Sequence, residues 1–129
     1  MDETERYDRG MAVRRAVLGD AHVDRTLAKR NEFNTDFQEL ITRYAWGEIW
    51  SRPELSRHVR SLLTIAMMVA LNRGDELRLH LRGAFSNGVT RDEIKEVLLH
   101  CAIYAGVPAA NSAYHIAEEV FAQMHPPPE

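Results

Sequence analysis

Apolar side chains recur every three to four positions along almost the whole chain, and no stretch alternates strictly between apolar and polar positions. The first pattern is typical of amphipathic α-helices and the second of half-buried strands. The sequence therefore predicts an all-α fold of six to seven helices. Glycine, proline and capping residues divide the pattern into predicted helices at 3–18, 24–30, 35–46, 55–72, 75–87, 91–105 and from 108 onward.

The sixth predicted helix has the most specific boundary, because Thr90 and Glu93 have the spacing of a capping box. The third helix is expected to stop at Gly47. Pro53 disfavours helix at the residue before it, so WGEIWSRPE is expected to be a loop or a broken turn. We expect the tail HPPPE to be frayed.

The fourth predicted helix contains the run LLTIAMMVAL, Leu62 to Leu71, which is apolar nearly all round. Such a helix has to be covered on every side. We expect a second copy of the chain to help cover it in a homo-oligomer, and the alternative is a central helix in a monomer. With 129 residues the chain is expected to form one domain, 1–129.

Composition and charge exclude several classes of partner. The 16 Lys and Arg against 19 Asp and Glu leave a formal net charge of −3, so nothing favours nucleic acid. The longest apolar run is about half of what a bilayer-spanning helix requires. The charged N-terminus lacks the apolar core of a signal peptide, which predicts a cytoplasmic protein. The single cysteine, Cys101, fits a reducing compartment.

The segment WGEIWSRP holds both tryptophans of the chain, Trp46 and Trp50, together with Glu48 and Arg52. On an extended segment these four residues would present two rings and two opposite charges close together, which favours a binding site. The alternative is that both rings fill the core while Glu48 pairs with Arg52 at the surface.

Other candidates for chemistry lie on the predicted helices. His80 shares a face with apolar residues, where an imidazole can be tuned for proton transfer or can be a hydrogen-bonded core residue. Glu96, His100 and Tyr104 stand in one row that either lines a pocket or faces solvent.

Cys101 falls in an apolar stripe, which indicates an inert thiol. Three cationic or titratable residues open the fourth helix and indicate an ion pair or an anionic ligand: Arg57, His58 and Arg60.

Four blocks in order carry a resemblance to a known family: WGEIWSRP, the EL-x-x-H that ends at His80, GVT-x-x-EI-x-E and YAGVPAA. Between Tyr44 and Val120 the sequence resembles the carboxymuconolactone decarboxylase family, and within it the members that act on 4-carboxymuconolactone. The wider superfamily includes alkylhydroperoxidase-like proteins with a C-x-x-C dithiol. Arg73 and Glu76 occupy the positions of those cysteines here, which excludes dithiol chemistry.

The resemblance implies an all-helical, cofactor-free enzyme of aromatic catabolism that works as a homo-oligomer, commonly a trimer or hexamer. It implies decarboxylation of 4-carboxymuconolactone to 3-oxoadipate enol-lactone in the protocatechuate branch of the 3-oxoadipate pathway. No metal, nucleic acid or membrane is expected to take part. The alternatives are a decarboxylase or isomerase of another small carboxylated lactone or keto acid, and a non-enzymatic helical interaction module.

Under this resemblance the candidate residues take on roles. His80 is the expected general acid, with Glu48 setting its protonation or relaying the proton. Arg52 or Arg60 would anchor a substrate carboxylate. The remaining candidates would wall the pocket or support it with hydrogen bonds: Trp46, Trp50, His100 and Tyr104.

Overall fold

A computed structural model describes residues 1–128, and within them every regular element is helical. This confirms the all-α prediction. The chain divides into two compact units, Met1–Arg57 and His58–Glu129. The prediction of one domain, 1–129, stays a prediction.

The N-terminal unit is built on helix α1, Glu3–Leu18, whose bounds agree with the prediction. Helix α2, Asp20–Ala28, begins four residues earlier than predicted, because Gly19 at φ 89° ends α1 and the chain turns directly into the next helix. Helix α3, Thr35–Leu40, continues without a break into a π-helix, Ile41–Ile49, which packs along α1.

The π-helix corrects the prediction that the third helix ends at Gly47 and that WGEIWSRPE is irregular throughout. A Cβ at Gly47 would lie 2.5 Å from the carbonyl oxygen of Arg6. Glycine therefore serves here for close approach of two backbones, and the helix runs on to Ile49. Only the residues that follow, up to the start of α4, are irregular.

The C-terminal unit contains four helices. They are α4 (Arg57–Ala70, whose first residue closes the N-terminal unit), α5 (Gly74–Ser86), α6 (Arg91–Tyr104) and α7 (Val107–Gln123). Helix α7 packs on α5 and α6, and the core of the unit includes Ile65, Leu81 and Leu98. The predicted capping box is confirmed, because Thr90 Oγ1 accepts from the Glu93 N–H at 3.1 Å and Glu93 Oε1 accepts from the Thr90 N–H at 3.0 Å.

Helix α4 is not covered on every side by its own chain within residues 1–128, so the alternative of a fully covered central helix in a monomer is wrong, and coverage by a second copy stays a prediction. Ile65 and Val69 are buried, whereas Val59, Leu63 and Met67 are 38%, 43% and 56% exposed. No helix within residues 1–128 is long and apolar enough to cross a membrane. The cytoplasmic location stays a prediction.

Candidate active site

The rings of Trp46, in the π-helix, and of Trp50, the residue after its last one, lie against each other. Their ring centroids are 5.0 Å apart and the planes are tilted by 31°. Trp46 is 6% exposed and packs with Val13 and Val17 of α1, while Trp50 is half-buried against the same cluster. Of the two rings that the alternative interpretation placed in the core, only Trp46 fills it, and Trp46 supports Trp50, which is half-buried at the surface.

Trp50 forms part of a pocket of about 430 Å³ within the N-terminal unit. The pocket is lined by three arginines, Arg9, Arg52 and Arg57, and by no carboxylate among the described residues. Guanidinium groups bind carboxylates through paired hydrogen bonds, so this pocket fits a substrate that carries carboxylate groups.

Two of the three arginines are positioned by neighbouring groups. Arg9 Nη2 donates to the carbonyl oxygen of Ser51 at 2.9 Å, which ties α1 to the segment after the π-helix. Arg52 Nε lies 3.9 Å from Glu54 Oε2, and both side chains are at least half exposed, so this contact is a weak surface ion pair. A substrate carboxylate could compete with it for the guanidinium.

Glu48 accepts a hydrogen bond from Arg6 Nε at 3.2 Å. This bond raises the pKa of the Arg6 guanidinium, because deprotonation would leave the carboxylate without its partner. Glu48 lies within the π-helix and Arg52 lies beyond its end. The predicted alternation of rings and charges along one extended segment is therefore wrong. Among the described residues Glu48 does not line the arginine pocket.

His80 lies on α5 and is half-buried, one turn from the buried Leu77 and Ala84 and next to the buried Leu81. The predicted placement of this histidine on the apolar face of its helix is confirmed. Arg60 also belongs to the C-terminal unit, on α4, and is half-buried.

The row formed by Glu96, His100 and Tyr104 was predicted either to line a pocket or to face solvent, and each alternative holds for part of it. Glu96 and His100 border an almost wholly apolar groove of about 420 Å³ that also includes Leu62 and Leu63. Tyr104 is 81% exposed, and its ring stacks on His100 with centroids 4.9 Å apart. The first two residues thus line a depression and the third faces solvent.

Sequence reasoning missed the partner of His58. His58 Nε2 lies 2.7 Å from Glu93 Oε2, so the capping glutamate of α6 also fixes the imidazole. The pKa of Glu93 is lowered, first by the hydrogen bond from the Thr90 backbone and then by that from His58. Sequence reasoning also missed Arg9, which had no distinguishing signal within the charged N-terminus.

Cys101 is buried at 5% exposure, and burial raises the pKa of its thiol. Its Sγ lies 4.0 Å from the carbonyl oxygen of Ala66. The location confirms a buried core thiol, because the thiolate that nucleophilic chemistry requires is disfavoured there.

The chain is similar in sequence to one protein family and to named relatives. The family model of the carboxymuconolactone decarboxylase family matches residues 35–119. The chain is 58% identical over 129 residues to 4-carboxymuconolactone decarboxylase of Acinetobacter baylyi, covering 100% of this chain and 96% of that protein. It is 42% identical over 125 residues to nitrosuccinic acid decarboxylase of Metarhizium robertsii, covering 95% and 87% of the two chains.

Proposed function

The chain belongs to the carboxymuconolactone decarboxylase family, and on that premise we propose that it decarboxylates 4-carboxymuconolactone to 3-oxoadipate enol-lactone in protocatechuate degradation. It is a carboxy-lyase. The observation that carries the assignment is the 58% identity to a decarboxylase of this name, end to end along the chain. The arginine pocket of the N-terminal unit supports it, because the substrate carries two carboxylates.

The substrate explains why this reaction needs no cofactor. The departing carboxylate is attached to a tetrahedral ring carbon next to the ring alkene, and this alkene is conjugated to the lactone carbonyl. When the carbon–carbon bond breaks, carbon dioxide leaves and the electron pair spreads into a dienolate. A proton delivered to carbon then gives the enol-lactone. The protein has to hold the carboxylates, stabilise charge on the lactone oxygen and supply the proton.

The arginine pocket provides the first of these functions. Arg52 binds one substrate carboxylate, with Arg9 and Arg57 adding positive charge to the same pocket. Trp50, held by the buried Trp46, forms an apolar wall that keeps water from the charged groups. Arg60 remains the alternative carboxylate anchor.

Proton delivery is assigned to His80. Histidine is the side chain best suited to proton transfer near neutral pH, and this one is half-buried on the apolar face of its helix. Glu48 is the proposed relay or partner, and its ion pair with Arg6 would keep the carboxylate in one place. His100 and Tyr104 are proposed as supporting hydrogen-bond donors, with their rings stacked on each other.

The assay that tests the function follows carbon dioxide release and enol-lactone formation on freshly generated 4-carboxymuconolactone, with a chelator and no added cofactor. Nitrosuccinate is the comparison substrate, because a relative is named for it. Conversion of 4-carboxymuconolactone with the higher kcat/KM supports the proposal. A higher kcat/KM for nitrosuccinate would establish the second candidate, and turnover of neither would refute both.

Replacing Arg52 with glutamine is expected to raise KM roughly tenfold to a hundredfold, because a charge-assisted hydrogen bond to the substrate is lost. If the contact is equally strong in the ground and transition states, kcat changes little. Steady-state kinetics on 4-carboxymuconolactone measure both constants. Arg82→Gln removes the same charge from an exposed position on α5 and is expected to leave KM unchanged. An unchanged KM in Arg52→Gln would exclude this residue as an anchor.

The protein is proposed to work as a homo-oligomer, a trimer or hexamer. Support comes from the exposed apolar stripe of α4, Val59, Leu63 and Met67, and from the apolar groove beside it. Contiguous exposed apolar side chains of this kind are typical of surfaces that bind another protein.

Leu63→Glu is expected to reduce the assembled mass to that of the monomer, because a charge would be desolvated in the interface. Light scattering on the protein as it elutes from a size-exclusion column measures the assembled mass. Ser112→Glu places the same charge on an exposed position of α7 and serves as the control. An unchanged mass for Leu63→Glu would contradict the use of this stripe.

A further inference from the structure

Arg14 of α1 is a buried cation that bonds only to neutral groups. It is 3% exposed, and its Nη1 and Nη2 donate to Thr42 Oγ1 at 3.1 Å and to Gln38 Oε1 at 3.0 Å. Its Nε–H has no hydrogen-bond partner in the described chain. Burial lowers the pKa of this guanidinium, since the charged form loses water without gaining an anion.

Gln38 connects this cation to a second polar pocket. The pocket has a volume of about 330 Å³, belongs to the N-terminal unit, and is lined by His22, Arg25, Thr26, Lys29, Asn34 and Gln38. No carboxylate stands among these residues. The pocket shares no lining residue with the arginine pocket described above.

The two cationic side chains of this pocket, Arg25 and Lys29, have no carboxylate partner among residues 1–128. Other arginines of the same unit do pair with carboxylates, namely Arg6, Arg15, Arg30 and Arg43. The two cations of this pocket are therefore available to an external anion, as are Arg9 and Arg57 of the arginine pocket.

The Gln38 side chain is oriented by Arg14. Because its Oε1 accepts from Nη2 of Arg14, the amide NH2 group is turned away from the buried cation. Since Gln38 also lines the pocket, its NH2 group is a donor available to a ligand there. Two cations and a fixed amide donor make a site for an anion with several oxygens.

We propose that this pocket binds a small oxyanion, a carboxylate or a phosphate, between Arg25, Lys29 and the amide of Gln38. The bound anion also offsets the charge of Arg14 behind the amide. Binding here stabilises the folded N-terminal unit, because the unfolded chain has no such site.

The test compares unfolding temperatures during titration with succinate and with inorganic phosphate, the ionic strength being held constant with sodium chloride. The wild-type protein is expected to show a saturable increase with at least one of them, and the anion with the larger increase identifies the ligand class. Arg25→Gln/Lys29→Gln is expected to raise the apparent Kd at least about tenfold. Arg82→Gln/Lys95→Gln loses the same charge from the other unit and should respond like wild type.

Gln38→Glu provides a second, independent readout. The new carboxylate can accept from Arg14 and neutralise it, so the variant is expected to unfold roughly 3–5 °C higher than wild type without added anion. It should also lose the saturable response, because the carboxylate repels the ligand. An unchanged response in both Gln38→Glu and Arg25→Gln/Lys29→Gln would overturn the proposal, as would a wild-type protein that responds to neither anion. Neither result depends on turnover, so failure of the proposed decarboxylase activity would be seen separately.

Discussion

Replacing His80 with alanine is expected to lower kcat by about a hundredfold to ten-thousandfold, the usual contribution of a positioned general acid. The dienolate that remains after loss of carbon dioxide has to be protonated on carbon, and His80 is the proposed donor. Because the histidine would act on the reacting atoms rather than on substrate binding, KM should change far less than kcat. Steady-state turnover of 4-carboxymuconolactone measures both constants.

Two variants separate this effect from a loss of structure. His115→Ala removes an exposed histidine of α7 and should keep full turnover. His80→Gln keeps a polar side chain of similar length on the half-buried face and should fold, yet it should be as inactive as His80→Ala. If His80→Ala keeps kcat within threefold of wild type, the proton comes from another group.

Gly10→Ala is expected to destabilise the N-terminal unit by about 3 kcal/mol or more, the upper range for overpacking. A Cβ at Gly10 would lie 1.9 Å from the carbonyl oxygen of Thr42 and 3.0 Å from the backbone nitrogen of Gly47. Backbone atoms cannot move aside as the end of a flexible side chain can. The helices would have to separate, which would disturb the support of Trp46 and Trp50.

The direction of this effect makes it diagnostic. In a helix that is free of such contacts, glycine to alanine stabilises by up to about 1 kcal/mol. Gly74→Ala is the matched control, because its Cβ would meet Ile116 Cδ1 at 3.4 Å, an ordinary contact. Urea unfolding of the three proteins measures the difference. A Gly10→Ala protein as stable as wild type would show that α1 and the π-helix are not in this close contact.

Local signals in the sequence predicted most of the fold. The bounds of α1 and the capping box of α6 depend on residues within one turn of each other, and both predictions were correct. The π-helix could not be predicted in this way. Whether Gly47 ends a helix or admits another backbone depends on Arg6, which lies 41 positions earlier in the chain.

The same distinction applies to the candidate site. Trp50 and Arg52 were identified because the sequence brings rings and charges together within one segment, and both line the arginine pocket. Arg9 reaches this pocket through the packing of α1, which residue spacing does not reveal. The pairing of His58 with Glu93 spans 35 positions and was missed for the same reason.

The π-helix at 41–49 also determines which kinds of mutation the site can tolerate. A substitution leaves the number of residues between Trp46 and Arg57 unchanged, so the direction in which the chain leaves the helix is kept. Deleting or inserting one residue between Trp46 and Trp50 would rotate each following side chain around the axis by the angle that separates two successive residues. Trp46 could still reach its core, but Trp50 and the pocket residues after it would not keep their places. Sequence length, more than side-chain chemistry, is therefore the property of this segment that natural or laboratory variants of the protein have to preserve.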